Sequence, residues 1–393
     1  MNDSGSYTLI QSAAARSTTA VLSVPDRAEL LAASARSGAS SSKPHWRNHA
    51  LPEQIGRYRI TGQLYDGRYH QLLLGSTEGI GGVERKAVIK LLRPQIAHDG
   101  RRTRGFLHEE RVTGALDHPN VVRLLDSGDS EFGYYMVLEH IQGYNLAEVH
   151  TAASMTRRRI PLEVALTIAH GVATALHYVH ELATDGGQPL GLVHRNVLPS
   201  NVMIREDGFV KLIDFGEVAI AGMEREQSPL EDRLHPYTPP EMVKGQSVDR
   251  RGDIYGIGAV LYEASTGRLA VQDPYAARHD SPERVIPPSS LVPDYWPELE
   301  AAVLHMLQPE PAQRFPSAAT VALALEDMAT RRGITLSPRR AGNFVRKVFD
   351  RPARASNLAA QAEAARQRGD AQGRRGQPDN MGKTRIRLAR KLA

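Results

Sequence analysis

Two polar loops, each following a short apolar run, constrain this chain more than any other feature of it. Leu192-Val193 runs into His194-Arg195-Asn196-Val197-Leu198-Pro199-Ser200-Asn201, and Lys211-Leu212-Ile213 runs into Asp214-Phe215-Gly216. Only a short hairpin fits between them. Polar groups set this close need a scaffold on both sides, and the flanking periodicity supplies two different ones.

Before Gly143 the pattern is strand-like. Tyr58-Arg59-Ile60, Gln71-Leu72-Leu73-Leu74 and Lys86-Ala87-Val88-Ile89-Lys90 read as short strands bounded by glycines, with a turn at Gly79-Ile80-Gly81-Gly82. Val121-Val122 and Tyr135-Met136-Val137-Leu138 read as further strands. One helix is predicted over residues 104–116, where Phe106, Leu107, Val112 and Leu116 recur at helical spacing; Pro119 ends it. After Gly143 the period becomes helical. Residues 162–182 place Val164, Ile168, Val172, Leu176 and Val179 on one stripe. Residues 253–265 read as a buried helix, and 299–307 and 318–328 as two amphipathic ones. The expected fold class is α+β, with a small antiparallel sheet and one helix, then a larger helical lobe, the polar loops lying where the lobes meet.

The absence of cysteine from the 393 residues excludes disulfides, thiolate zinc sites and cysteine nucleophiles. No run of about 18 apolar residues occurs, so no transmembrane segment is expected. Met1-Asn2-Asp3-Ser4 lacks the basic and apolar regions of a signal peptide. The expected location is cytoplasmic. Net charge is +5 but uneven: from Arg331 to Ala393 there are 17 Lys and Arg against 4 Asp and Glu, a net of +13 that leaves residues 1–330 at −8.

The loops and the residues around them resemble a protein kinase, and the stretch from Gly187 to Asn201 resembles a bacterial serine/threonine subgroup. His194, Arg195 and Asn201 match the catalytic-loop pattern H-R-D-x-x-x-x-N, and Asp214-Phe215-Gly216 matches D-F-G. Lys90, Glu109, Glu241, Asp253 and Arg314 follow in family order. Composition and charge make 1–56 a disordered leader and 331–393 a basic, disordered tail. The resemblance spans residues 57–328 and implies a two-lobed kinase fold, with an N-lobe over 57–142 and a C-lobe over 143–330. It implies ATP and Mg²⁺ as cofactors. Lys90 would pair the nucleotide phosphates, Glu109 would orient Lys90, and Glu110 would face elsewhere. Leu64, Gly67 and Leu72 would cover the nucleotide, the backbone at Glu139 and Ile141 would meet adenine, and Asn201 and Asp214 would hold the metal through hard oxygens. Glu241 would pair with Arg314.

Several positions depart from the pattern. Position 196 is Asn where the family keeps its catalytic base. An amide can accept a hydrogen bond from a substrate hydroxyl but cannot take its proton. General-base catalysis contributes about 10²–10⁴ in rate, so a family rate of about 1–100 s⁻¹ falls to roughly 10⁻⁴–1 s⁻¹. The phosphate loop, Leu64-Tyr65-Asp66-Gly67-Arg68-Tyr69-His70-Gln71-Leu72, keeps one glycine of three. Tyr65 and His70 crowd the phosphates, Asp66 adds a like charge, and Val88 narrows the adenine slot. Leu198 replaces a lysine that the bacterial subgroup also lacks. Leu234 stands where the acceptor-site threonine belongs, and Arg233-Leu234-His235-Pro236-Tyr237 replaces G-T-x-x-Y. Glu224, Glu226, Glu231 and Asp232 suggest an acid pairing with Arg195 in place of a phosphate.

These features imply a kinase-family signalling protein that binds ATP with phosphotransfer weak or lost, that is, a pseudokinase acting on a regulated protein partner. The alternative is an active kinase phosphorylating protein substrates. His170, His177 and His180, on one helix, read as satisfied histidines rather than a metal site. The basic tail reads as solvated or docked on an acidic surface; nucleic acid is disfavoured for want of aromatic stacking platforms.

Overall fold

The computed structural model describes residues 51–96, 98–184, 186–220, 235–273 and 285–350. The leader before 51, the acidic stretch 221–234 with Ser228 and Leu234, and the basic residues after 350 lie outside the described residues.

The first lobe is a six-stranded antiparallel sheet of β1 (Gln54–Ile55), β2 (Tyr58–Asp66), β3 (His70–Glu78), β4 (Glu84–Leu92), β5 (Leu124–Ser130) and β6 (Gly133–Glu139), in the order β1-β2-β3-β4-β6-β5. Strand alternation sends Leu73, Ile89 and Val137 to one face, where Ile55 and Tyr58 join them. Met136 and Leu92 face the other side and pack on Phe106 of α1 (Gly100–Ala115). α1 begins four residues before the expected start because the Asp99 carboxylate accepts from the Arg101 and Arg102 amides. One expected strand moves: Val121 makes only an isolated bridge to Leu212, and the strand is β5 instead. Its sequence, Leu-Leu-Asp-Ser-Gly-Asp-Ser, has little strand propensity; pairing along β6 imposes the conformation.

The second lobe contains α2 (Leu146–Met155), α3 (Leu162–His180), α4 (Pro240–Val243), α5 (Arg250–Thr266), α6 (Pro297–Met306) and α7 (Ala318–Arg331). α3 is its axis. Its length and composition would suffice to cross a membrane, but Val164, Ile168, Val172, Leu176 and Val179 are buried within the lobe, against neighbours that include α5 and α7. Small strands then present the polar loops. β7 (Gly143–Asn145), β9 (Val202–Arg205) and β10 (Val210–Leu212) form one sheet, and β8 (Leu192–Val193) pairs with β11 (Ala219–Ile220).

The expected Glu241–Arg314 pair is buried and bidentate, at 2.8 and 2.7 Å. Arg314 also donates to the carbonyls of Gln308, Arg251 and Pro309. Every guanidinium nitrogen is thereby used, as a buried cation requires.

The expected disordered tail over 331–393 fails for its first part. Residues 338–350 form a helix, α8, with Ala341, Phe344, Val345 and Val348 buried and Arg339, Arg340, Arg346 and Lys347 outside. Helical spacing of the four apolar residues makes one face worth burying, and the dense charge masks it in the sequence. The contact is backbone to backbone. A Cβ on Gly342 would sit 2.5 Å from the Glu206 carbonyl, and Gly208, at φ +90°, leaves no room for one beneath Pro338. Similarly, Ile55 is buried in the first lobe, so order begins before residue 57.

Removing one partner of a buried ion pair costs about 3–5 kcal/mol because the other charge is stranded. Arg314→Ala is therefore expected to lower unfolding free energy by about that amount in urea titrations. The exposed pair Arg250–Glu181 serves as a control, with a loss of at most about 1 kcal/mol in Arg250→Ala.

Candidate functional site

Lys90 is the centre of the site. β4 carries it inward opposite Leu72 on β3 and Met136 on β6. Its ammonium lies 2.5 Å from Glu109 on α1 and 3.1 Å from Asp214. Lys90 and Glu109 are buried, whereas the Asp214 side chain is 38% exposed and so remains reachable from solvent. Glu110 turns away and accepts from Ser127, as its register requires. Burial opposes the charge on Lys90, but Asp214 and Glu109 outweigh it and raise its pKa, so the lysine stays protonated. Burial pushes Glu109 up to about 6 against the pull of Lys90. Burial also works against Asp214, yet Lys90 holds it down at about 2.

The loop 194–201 is held from beneath. Asp253 on α5 is buried and accepts from the His194 and Arg195 amides at 2.8 and 2.7 Å and from His180 at 2.8 Å. Burial opposes its ionisation, but His180 and His194 hold its pKa low. His180 thus has a carboxylate partner at Nε2, though among the described residues its buried Nδ1 has none, and His170 meets Glu326 at 2.7 Å. Among the described residues no group of three or more His, Cys, Asp or Glu is placed to hold a metal. Phe215 is fully buried, edge-on to the His194 ring at 4.8 Å.

Asn201 and Asp214 are brought together through the backbone. The Ile213 amide donates to the Asn201 carbonyl at 2.9 Å. The Asn201 side-chain Nδ2 donates to the Asn196 carbonyl at 2.9 Å, which leaves Oδ1 as an acceptor. An ionised carboxylate and an amide oxygen suit Mg²⁺, which binds through one or two protein oxygens and completes its shell with water and phosphate. Arg195 and Asp214 both adopt positive φ, +64° and +65°. Such conformations cost about 1–3 kcal/mol each and persist only where surroundings impose them.

The phosphate-loop positions form a tight hairpin. The Gly67 amide donates to the His70 carbonyl at 3.1 Å. Leu64 lies at a bulge, because the register passes from Gln63–Leu73 directly to Tyr65–Leu72. A Cβ at Gly67 would meet the Tyr65 ring and, at 2.9 Å, the His70 carbonyl. Asp66 is not an uncompensated charge: Arg93 pairs with it and donates to the Gly67 carbonyl at 2.8 Å, and Gln71 donates to it at 3.2 Å. Burial drives His70 down to about 4, so its imidazole is neutral beside Lys90. Sequence reasoning missed Arg93, because its burial and its partners appear only in the folded chain. Glu139 ends β6 opposite Ala87, with its carboxylate on Lys211 at 2.7 Å, and Ile141 follows it, buried.

A family model for the protein kinase domain matches residues 81–322. This chain belongs to the protein kinase family. It is 32% identical over 284 residues to the tyrosine-protein kinase MasK of Myxococcus xanthus, covering 70% of this chain and 43% of the relative. It is 32% identical over 281 residues to the serine/threonine-protein kinase PknB of Mycolicibacterium smegmatis, covering 66% and 42%. The chain thus spans about two fifths of the length of these curated relatives. The PknI kinase domain of Mycobacterium tuberculosis, a solved structure, superposes with a TM-score of 0.54 at 26% identity, over 71% of this chain and all of that one. The two-lobed kinase fold expected from the sequence is the fold of the molecule. What sets this kinase-family site apart is position 196, where Asn196 Oδ1 meets Nε2 of His235 at 3.3 Å.

Two outcomes follow. Asp214 has a folded pKa of about 2 against 3.8 ordinarily, so its contribution to stability is complete above pH 3.8 and is lost as pH falls through 2. Between pH 4 and pH 2.5 the urea midpoint of the wild type should fall further than that of Asp214→Asn. Arg93→Met removes both anchors of the hairpin, each charged hydrogen bond contributing about 1.5–3 kcal/mol. Amide exchange at Gly67 is expected to accelerate at least about tenfold.

Proposed function

We propose that this chain is a nucleotide-binding signalling protein of the protein kinase family, whose transfer of phosphate to protein hydroxyls is slow. The observation that carries this is the closed Lys90–Glu109–Asp214 constellation. A kinase-family site that no longer met nucleotide phosphates would have no need to keep a buried cation between two carboxylates at such cost in desolvation. In this reading Lys90 binds the nucleotide phosphates and Glu109 fixes it. Leu64, Gly67 and Leu72 cover the nucleotide, and backbone at Glu139 and Ile141 receives adenine. Asn201 and Asp214 hold Mg²⁺, which when bound neutralises charge developing on the phosphate oxygens. Asn196 orients the acceptor hydroxyl. The relatives named above are tyrosine and serine/threonine kinases, so the acceptor is a protein hydroxyl of one of these classes. The cytoplasm, where Mg-ATP is available, is the corresponding place of action.

A second reading, a pseudokinase that binds nucleotide and acts on a partner without transferring phosphate, draws on the hairpin. Arg93 ties down the backbone carbonyl of Gly67, and neutral His70 stands among the charges. Both features limit the close backbone approach that phosphates need.

Calorimetry with Mg-ATP, beside γ-phosphate transfer to the protein itself and to casein, separates the readings. The expected result is binding with slow transfer, abolished by Asp214→Ala and raised about 10²-fold or more by Asn196→Asp. Binding without transfer, in a chain that Asn196→Asp activates, would establish the second reading. No binding at all would overturn both.

A further inference from the structure

The second lobe carries a set of cations without counterparts. A cleft of about 460 Å³ lies between the turn 156–161, which leads into α3, and the helix α8. Arg158 and Arg159 line it from the turn, and Arg340 and Lys347 line it from α8. All four are exposed, and among the described residues none of their side chains makes an ion pair or a hydrogen bond. By contrast Arg205, Arg250, Arg251, Arg331 and Arg332 of the same lobe each meet a carboxylate. Glu163 is the one acid among the described residues lining the cleft.

Both walls of the cleft are fixed. Arg157, at φ +51°, turns the chain. The Arg157 and Arg158 amides donate to the Ser154 and Ala153 carbonyls at 2.9 and 2.8 Å, and Ile160 is buried beneath the turn. On the other side α8 lies on the backbone of residues 206–208. Arg346 holds it there, donating to the Glu206 carbonyl and to the Asn343 side chain. The four cations thus stand on rigid backbone with their charged ends in water. Clustered like charges repel one another, and an anion that bridges them relieves that repulsion. One exposed pair contributes little, but four cations about one cleft focus a positive potential in it.

We propose that this cleft docks an acidic peptide segment of a partner protein, whose carboxylates meet Arg158, Arg159, Arg340 and Lys347 and one of whose apolar side chains rests against Phe344 and Val164. This goes beyond the nucleotide-binding reading and needs no phosphate transfer. The lining selects the occupant. A lone inorganic anion would leave most of the 460 Å³ to water and the apolar lining unused. A bilayer is flat, whereas Phe344 and Val164 are buried within the cleft and out of its reach. Single-stranded nucleic acid needs exposed aromatic faces to stack on, and Phe344 offers none. An extended peptide is narrow enough to enter and presents carboxylate and apolar side chains on opposite sides. Residues 1–330 carry a net charge of −8, which directs an acidic segment to this cleft rather than elsewhere on that body.

The test is fluorescence anisotropy on the full chain, without nucleotide, using a fluorescein-labelled peptide rich in Glu and Asp and carrying two Leu. Saturable binding that weakens with salt is expected. Arg159→Glu combined with Lys347→Glu should weaken it about tenfold or more. Two controls should change it less than about twofold: Arg250→Glu elsewhere on the lobe, and Arg385→Glu with Arg387→Glu in the sequence after residue 350. Equal losses in a control and in the cleft variant would reduce the effect to net charge and overturn the assignment. Replacing both Leu of the peptide by Ser should weaken binding at least about fivefold; unchanged affinity would overturn it, as would no binding by the wild type. So would vesicles of phosphatidylserine, or a duplex oligonucleotide, that bind more tightly than the peptide and lose that binding in the cleft variant. The altered side chains are exposed, so the urea midpoint should not move; if it does, Arg159→Gln with Lys347→Gln is read instead, with a loss of about threefold expected. Because no nucleotide is present, failure here leaves the Mg-ATP reading standing, and failure of that reading leaves the docking site standing.

Discussion

The site depends on one buried carboxylate. Asp253 has no solvent to ionise into, yet three donors converge on it: the ring of His180 and the amides of His194 and Arg195. A buried charge is tolerable only when fully paired, so these bonds are obligatory. They bolt the loop 194–201 to α5 and hold Arg195 in a conformation that few non-glycine residues adopt. Everything above this bolt inherits its position. Val197 packs over the Gly256 face of α5, Asn201 returns to the Asn196 carbonyl, and Ile213 hangs from Asn201. Asp214 is thereby placed under Lys90.

The two lobes meet through charge. Lys90 arrives from the sheet, Glu109 from α1 and Asp214 from the helical lobe, so one cation satisfies two carboxylates and ties three segments together. Asp214 is the more exposed member of the set and the most acidic, which makes it the one suited to a metal. Glu109, buried beside another carboxylate, sits nearer its proton. The ion-pair constellation around Lys90 is intact, while two of the departures from the family pattern, the anchored hairpin and the amide at 196, lie at its edges. Departures at the edge leave the frame intact, which is why fold and chemistry can be argued separately here.

Much of the frame was legible because it is written in local patterns. The strand runs, the stripe of residues 162–182 and the ordered spacing of Lys90, Glu109, Asn201, Asp214, Glu241 and Arg314 depend on period and order, which a sequence displays directly. β5 was not legible, since Leu-Leu-Asp-Ser-Gly-Asp-Ser becomes a strand only beside β6. Nor was α8 assigned, although Ala341, Phe344, Val345 and Val348 recur at helical spacing: its charges suggested a solvated tail, and only the surface at Glu206–Gly208 makes its apolar face worth burying. Arg93 and His235 were invisible as partners because each acts on residues far along the chain or across a turn, where residue type alone does not define a contact.

By itself the sequence determined the family, the order of the lobes and the identity of the groups at the site, including the amide at 196. These follow from residue type and spacing, which do not change on folding. The tertiary structure decided what those groups face. It neutralised Asp66 with Arg93, spent the apolar face of α3 inside the helical lobe, and set His235 against Asn196. Each of these is a matter of burial and distance between residues remote in the chain. Burial and distance, rather than residue type, set whether a charge is matched and whether an imidazole stays neutral.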